Sequence, residues 1–218
     1  MEKENTTKIK GEILLGIIFA LELYALPVQF YLLLKNPEFT FFSAAVRFFS
    51  FFTITTNTIV FLCTALLLFG GKSRANAFFK KCTTITAITV YILIVGIVFN
   101  LLLRPTLHLE GHHLIVSEIF HTVVPILFLV FLLFFVSPEK ISFKVISSWL
   151  IYPIIYIIYT LFHGIATEFY PYPFIDATKL GFQTAIINGF FVLISFVVLS
   201  LILILISKIR TKKISLED

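Results

Sequence analysis

Charge is scarce in this chain: of 218 residues, 13% are Asp, Glu, Lys or Arg, 59% are hydrophobic, and mean hydropathy is +1.01. A soluble domain carries about 25% charged residues, so one hydrophobic core in water is excluded as the main architecture. Cysteine is nearly absent as well. Cys63 and Cys82 are the only two, which excludes a disulfide-held scaffold, and both fall toward the ends of apolar runs that face a reducing compartment. Neither a repeat period nor a low-complexity stretch is visible, and no soluble basic segment supports nucleic-acid binding.

Apolar runs fill the space that charge leaves empty. Six recur, at about residues 11–34, 43–70, 82–103, 113–136, 144–167 and 180–207, and each is long enough to cross about 30 Å of hydrocarbon at 1.5 Å per residue. All but four of the 17 lysines and arginines lie in segments on one side of this pattern, the exceptions being Lys35, Arg47, Arg104 and Lys179. Basic residues are retained on the cytoplasmic side during insertion. The expected fold is therefore all-α: a single-domain polytopic bundle of six transmembrane helices with both termini cytoplasmic. The net charge of +5 reads as this topology signal plus contact with anionic lipid heads. The first run follows a lysine-bearing head but is too long for a signal sequence and lacks a small-x-small cleavage site, so it reads as a retained anchor.

In such a chain, function is sought among polar side chains at membrane depth, where an unpaired one costs several kcal/mol. Thr53 and His121 each lie about 12–15 Å in from the outer ends of their runs and share a depth. Asn100, Arg104, Glu118, His163, Arg47 and Gln183 lie nearer the outer surface. Thr53, Thr56 and Asn57 share one helical face, as do Glu118 and His121. Pro125, four residues after His121, removes the N–H that would bond the His121 carbonyl, which must then find another partner. The loop from Glu168 to Asp176 contains two Tyr-Pro pairs, is expected to be stiff, and is a candidate lid with Tyr172 in it.

Simpler readings stand beside these. A membrane threonine usually bonds back to its own helix, and Glu118 with Arg47 or Arg104 makes an ion pair. His108, Glu110, His112 and His113 crowd one loop without a fixed register, and no metal is assigned to them. Glu118-x-x-His121 has the form of a di-iron half-site but lacks a second motif, Glu22 being the only other deep carboxylate. A haem between His121 and His163 is a further alternative, although no cofactor is called for.

Three segments in order carry a resemblance: Phe52-Thr53-Ile54, His121-Thr122-Val123-Val124-Pro125 and Tyr172-Pro173-Phe174-Ile175-Asp176. Together they resemble the androgen-induced-gene family of integral membrane hydrolases and a bacterial six-helix membrane family related to it. In the eukaryotic members the proline comes one residue later, and the histidine near His163 is one residue out of register. The resemblance implies a hydrolase of lipid esters, such as fatty acid esters of hydroxy fatty acids, working in a multi-pass bacterial plasma-membrane protein. It also implies Thr53 as nucleophile and His121 as base. A threonine hydroxyl is weakly nucleophilic until a neighbouring base takes its proton, and histidine supplies that base near neutral pH. Asn57, Asn100, Glu118, His163 and Tyr172 are candidate supporting or substrate-binding residues. Membrane lipids and the lipid ester are the expected partners; the sequence assigns no oligomeric state. A transporter or sensor of a lipid or small molecule is the competing function, in which the polar layer binds ligand and Pro125 provides bending.

Overall fold

A computed structural model describes residues 2–217, with side chains described over residues 5–213. The described residues are helical throughout apart from turns and short loops. Six helical segments are long and apolar enough to cross a membrane: Asn5–Leu34, Phe52–Phe69, Cys82–Thr106, Gly111–Phe135, Phe143–Thr167 and Phe182–Lys213. The protein is an all-α polytopic membrane protein. Its chain divides into two compact units, Met1–Glu139 and Lys140–Asp218.

The first unit contains α1 (Glu2–Leu34), α2 (Phe41–Phe49), α3 (Phe52–Phe69), α4 (Arg74–Phe79) and α5 (Cys82–Val98). These are followed by a π-helical turn (Phe99–Leu103), α6 (Gly111–Glu118), a second π-helical turn (Ile119–Val123) and α7 (Val124–Phe135). Its core is built where α1, α3, α5 and α7 meet. Ile18, Val60, Ile92 and Phe128 are fully buried there. Phe19 of α1 stacks on Phe61 of α3 with centroids 5.1 Å apart, which fixes the antiparallel register of the two helices.

The run expected as one helix over 43–70 is two. Ser50 closes α2 by donating its hydroxyl to the Arg47 carbonyl at 2.6 Å, and Phe51 adopts an extended conformation with φ −85° and ψ 130° before α3 begins. The physical reason is local competition: a serine hydroxyl that takes a carbonyl at the helix end favours termination over continuation. Thr53 thereby moves from mid-helix to the first turn of α3.

The second unit contains α8 (Ile146–Trp149), α9 (Ile151–Thr167), α10 (Ala177–Leu180) and α11 (Phe182–Glu217). Its Tyr-Pro loop is fastened to the unit's own helices. Glu168 ends α9 in the left-handed region with φ 57°. The Tyr170 ring occupies the space that a side chain at Gly164 would need, and Asn188 Nδ2 donates to the Phe174 carbonyl at 2.8 Å. Asp176 caps α10, accepting from the backbone N–H groups of Thr178 and Lys179 at 3.1 and 3.3 Å and from the Thr178 hydroxyl at 2.5 Å. Burial alone would raise the Asp176 carboxyl; these hydrogen bonds and the Lys179 charge outweigh it and hold it below the usual carboxylate value.

Candidate active site in the first unit

Thr53 Oγ1 and His121 Nε2 stand 3.3 Å apart, joining the first turn of α3 to the second π-helical turn. Thr53 is 7% exposed, so little water competes for this contact. The other ring nitrogen, Nδ1, lies 2.8 Å from the Ser117 carbonyl oxygen. A carbonyl can only accept, so Nδ1 carries the hydrogen and Nε2 presents a lone pair to the threonine hydroxyl. That is the tautomer a base needs. The Ser117 hydroxyl, 3.3 Å from Nδ1, adds a second polar neighbour.

Ring orientation is fixed by stacking. Phe99 lies face to face with His121, centroids 3.7 Å apart and planes 15° apart, and Phe120 meets the ring edge-on. Both aromatic contacts depend on π-helical turns, since Phe99 opens the first and Phe120 lies in the second. A π turn adds one residue to a helical turn and re-aims the side chains around it, which is why such turns recur at functional sites.

The backbone group orphaned by Pro125 has found its partner. Asn100 Nδ2 donates to the His121 carbonyl at 3.0 Å and also to the Gly96 carbonyl at 2.8 Å. The approach of α5 to this turn is possible because residue 96 is glycine; a Cβ there would sit 2.8 Å from the His121 carbonyl oxygen. Asn57 is fully buried and donates from Nδ2 to the Thr53 carbonyl at 2.8 Å. Asn57 and Asn100 therefore hold the backbones of the two central residues rather than their reactive atoms.

Glu118 takes a different place from His121. It is half-exposed and pairs with Arg104, whose guanidinium also reaches the Thr122 hydroxyl at 3.4 Å and lies over the Phe99 ring. Arg104 rather than Arg47 makes the ion pair, and the Ser117 carbonyl, not Glu118, orients the imidazole. Sequence reasoning missed Ser117, although its position four residues before His121 puts it on the same helical face. Among the neighbouring threonines, Thr55 and Thr58 donate back to carbonyls of their own helix, Thr55 to Phe52 at 3.1 Å and Thr58 to Ile54 at 2.8 Å.

His163 and Tyr172 belong to the second unit. His163 stacks on Tyr159 with centroids 5.4 Å apart, and Tyr172 stacks on Phe174 at 5.4 Å. A cavity of about 250 Å³ adjoins the site in the first unit, lined by Phe99, Arg104, Leu107, His108, Leu109, Glu110, Leu114, Ser117 and Glu118. The residues that stack on and orient His121 thus also form a cavity wall. No group of three or more His, Cys, Asp or Glu side chains that could hold a metal ion occurs among the described residues.

The fold and site define a membrane protein with an oriented, partly buried hydroxyl–imidazole pair in a four-span unit. No family model, no curated protein and no solved structure matches the chain.

Proposed function

We propose that the protein is an intramembrane hydrolase of lipid esters, with Thr53 as nucleophile and His121 as general base. The observation that carries this reading is the ordered line from the Ser117 carbonyl through Nδ1–H and Nε2 to Thr53 Oγ1. In the reaction, Nε2 takes the hydroxyl proton while Oγ1 attacks the ester carbonyl. The tetrahedral adduct collapses to an acyl-threonine, and the imidazolium returns its proton to the departing alkoxide. Water, deprotonated by the same nitrogen, then releases the fatty acid and restores the threonine. The positive end of the α3 dipole lies at the turn that holds Thr53 and favours the negative charge that develops there. The cavity beside His121, with Arg104 on its wall and Leu107, Leu109 and Leu114 around it, suits a polar ester head joined to apolar chains.

Fluorophosphonate labelling of the purified protein in detergent, with the adduct located by mass spectrometry, tests the proposal. Modification of Thr53 is expected in the wild type and after Thr56→Ala. His121→Ala is expected to lower the labelling rate at least about 100-fold, the scale of general-base assistance. Labelling that persists in both Thr53→Ala and His121→Ala would refute an activated threonine.

A second reading, a transporter or sensor, is favoured by a separate observation: Glu22 lies fully buried in α1 with neither carboxyl oxygen hydrogen-bonded to a described residue. A polar group kept at that depth marks a ligand or proton site in many transport proteins.

A further inference from the structure

Hydrogen-bond accounting in the first unit leaves an excess of acceptors at one level. Both carboxyl oxygens of Glu22 lack a partner among the described residues, and so does Oδ1 of Asn57; both side chains are 0% exposed. The helix register sets the two side chains at one level. The Phe19–Phe61 stack sets the register of antiparallel α1 and α3, so one turn along α1 from Phe19, at Glu22, corresponds to one turn back along α3 from Phe61, at Asn57. The Asn57 amide is also oriented: the Thr53 carbonyl can only accept, so Nδ2 faces it and Oδ1 faces away from it. An oxygen buried this way needs a donor, and a carboxylate is not one.

We propose that Glu22 and Asn57 form a proton-binding site inside the first unit, in which Glu22 carries a proton and donates it to Asn57 Oδ1. One hydrogen then turns two mutually repelling acceptors into a hydrogen-bonded pair. A metal cation is a poorer occupant, because it would need several further oxygen ligands and Glu22 is the only fully buried carboxylate among the described residues of the unit. The other titratable groups buried in the elements around it are Cys63 on α3 and Cys82 and Tyr91 on α5; His121 on the second π-helical turn is half-buried, and no Lys or Arg with a described side chain is buried with them.

An open cleft approaches the site along α1. Gly11 and Leu15 lie on the same stripe of α1 as Ile18 and Glu22, and they line a cleft of about 1150 Å³ that also includes Lys8, Glu12, Lys80 and Glu139. Glu22 lies two helical turns, about 10 Å, beyond Leu15, with fully buried Ile18 between them. The open approach nearest to Glu22 along α1 thus lies on the side where α1 begins, with the Ile18 side chain as the barrier between. Loss of the proton would turn the Asn57 amide toward Glu22 and release the Thr53 carbonyl, so occupancy of this site bears on the first turn of α3. The proposal goes beyond the hydrolase reading and stands whether or not Thr53 is a nucleophile.

Infrared spectroscopy of the full chain in detergent at neutral pH tests it, using protein made with carboxyl-¹³C glutamate alongside unlabelled protein. A protonated-carboxyl stretch that moves on labelling, disappears in Glu22→Gln and shifts in Asn57→Ala is the expected result. Absence of that band in folded wild type means an ionised Glu22 and overturns the site; a band unchanged by Asn57→Ala overturns the pairing. If Glu22→Gln fails to fold, the isotope shift in the wild type together with its response to Asn57→Ala decides. Every other glutamate with a described side chain is exposed or, like Glu118, half-exposed and paired with Arg104.

Discussion

In the first unit the hydroxyl of Thr53 reaches a histidine 68 positions along the chain, whereas in the second the hydroxyls of Thr167, Ser195 and Thr211 turn back to carbonyls four positions earlier on their own helices. Burial follows the pair rather than the unit as a whole. In an apolar 18-residue window of each span, 44% of Phe52–Phe69, 67% of Cys82–Thr106 and 39% of Gly111–Phe135 is buried, against 22% of Asn5–Leu34, 22% of Phe143–Thr167 and 28% of Phe182–Lys213. A helix surrounded by protein can direct polar side chains to its neighbours; one that faces lipid must satisfy them on its own backbone. Polar side chains in a membrane span therefore signal a site only where several helices close around them. The back-bonded Thr55 and Thr58, inside the first unit, show that burial permits cross-helix bonding without requiring it.

The two units can be followed separately, because both cysteines, buried, lie in the first and the only tryptophan, Trp149, lies buried in the second. Thiol reactivity on heating reports opening of one, and tryptophan fluorescence reports opening of the other. The largest effect is expected from Gly96→Val, which forces a branched side chain against the His121 carbonyl and should cost about 3 kcal/mol by overpacking; the cysteines should become reactive at a lower temperature while the Trp149 transition stays put. Asn100→Ala leaves the His121 carbonyl without its side-chain donor and should cost about 2 kcal/mol by the same thiol readout.

Effects in the second unit should be smaller. Removing the α10 cap with Asp176→Ala should cost about 1 kcal/mol, seen in tryptophan fluorescence. Because the folded carboxyl is held below its ordinary value, its contribution is complete above the unfolded-state value and is lost as pH falls through the folded one. The variant and the wild type should thus converge in acid. Gly189→Ala should be the mildest change, stabilising by about 0.5 kcal/mol, since a Cβ there meets only Ile157 at 3.7 Å. If Gly189→Ala proved as damaging as Gly96→Val, the contrast between a tightly closed unit and a lipid-facing one would fail.

The six spans were legible because runs of about 20 apolar residues have few other uses. Of the meeting of Thr53 and His121, the residues themselves showed only a shared depth; the pairing was what the family resemblance implied. The break at Ser50 was not, since Phe48-Phe49-Ser50-Phe51-Phe52 contains neither proline nor glycine and reads as continuous helix. Ser117 was missed for a different reason: its ordering bond to the ring uses a backbone carbonyl, which every residue carries. The Asn100 bond to the His121 carbonyl answered a need that Pro125 made visible, but depth alone could not choose between Asn57 and Asn100. Division into two units left no trace in loop length or composition.

The second π-helical turn, Ile119–Val123, behaves as a one-residue insertion within what would otherwise be a single α-helix from Gly111 to Phe135. Excising a single residue from that stretch would restore regular winding and leave the flanking helices close to their present orientation, because the wide turn already absorbs the extra residue; only the side chains within the turn, His121 among them, would be re-aimed. The imidazole would then leave the threonine although both residues survived in the sequence. Among related chains, gain or loss of the Thr–His pairing can accordingly follow a one-codon deletion, and a homologue that keeps both residues but is one position shorter here has lost the geometry that joins them.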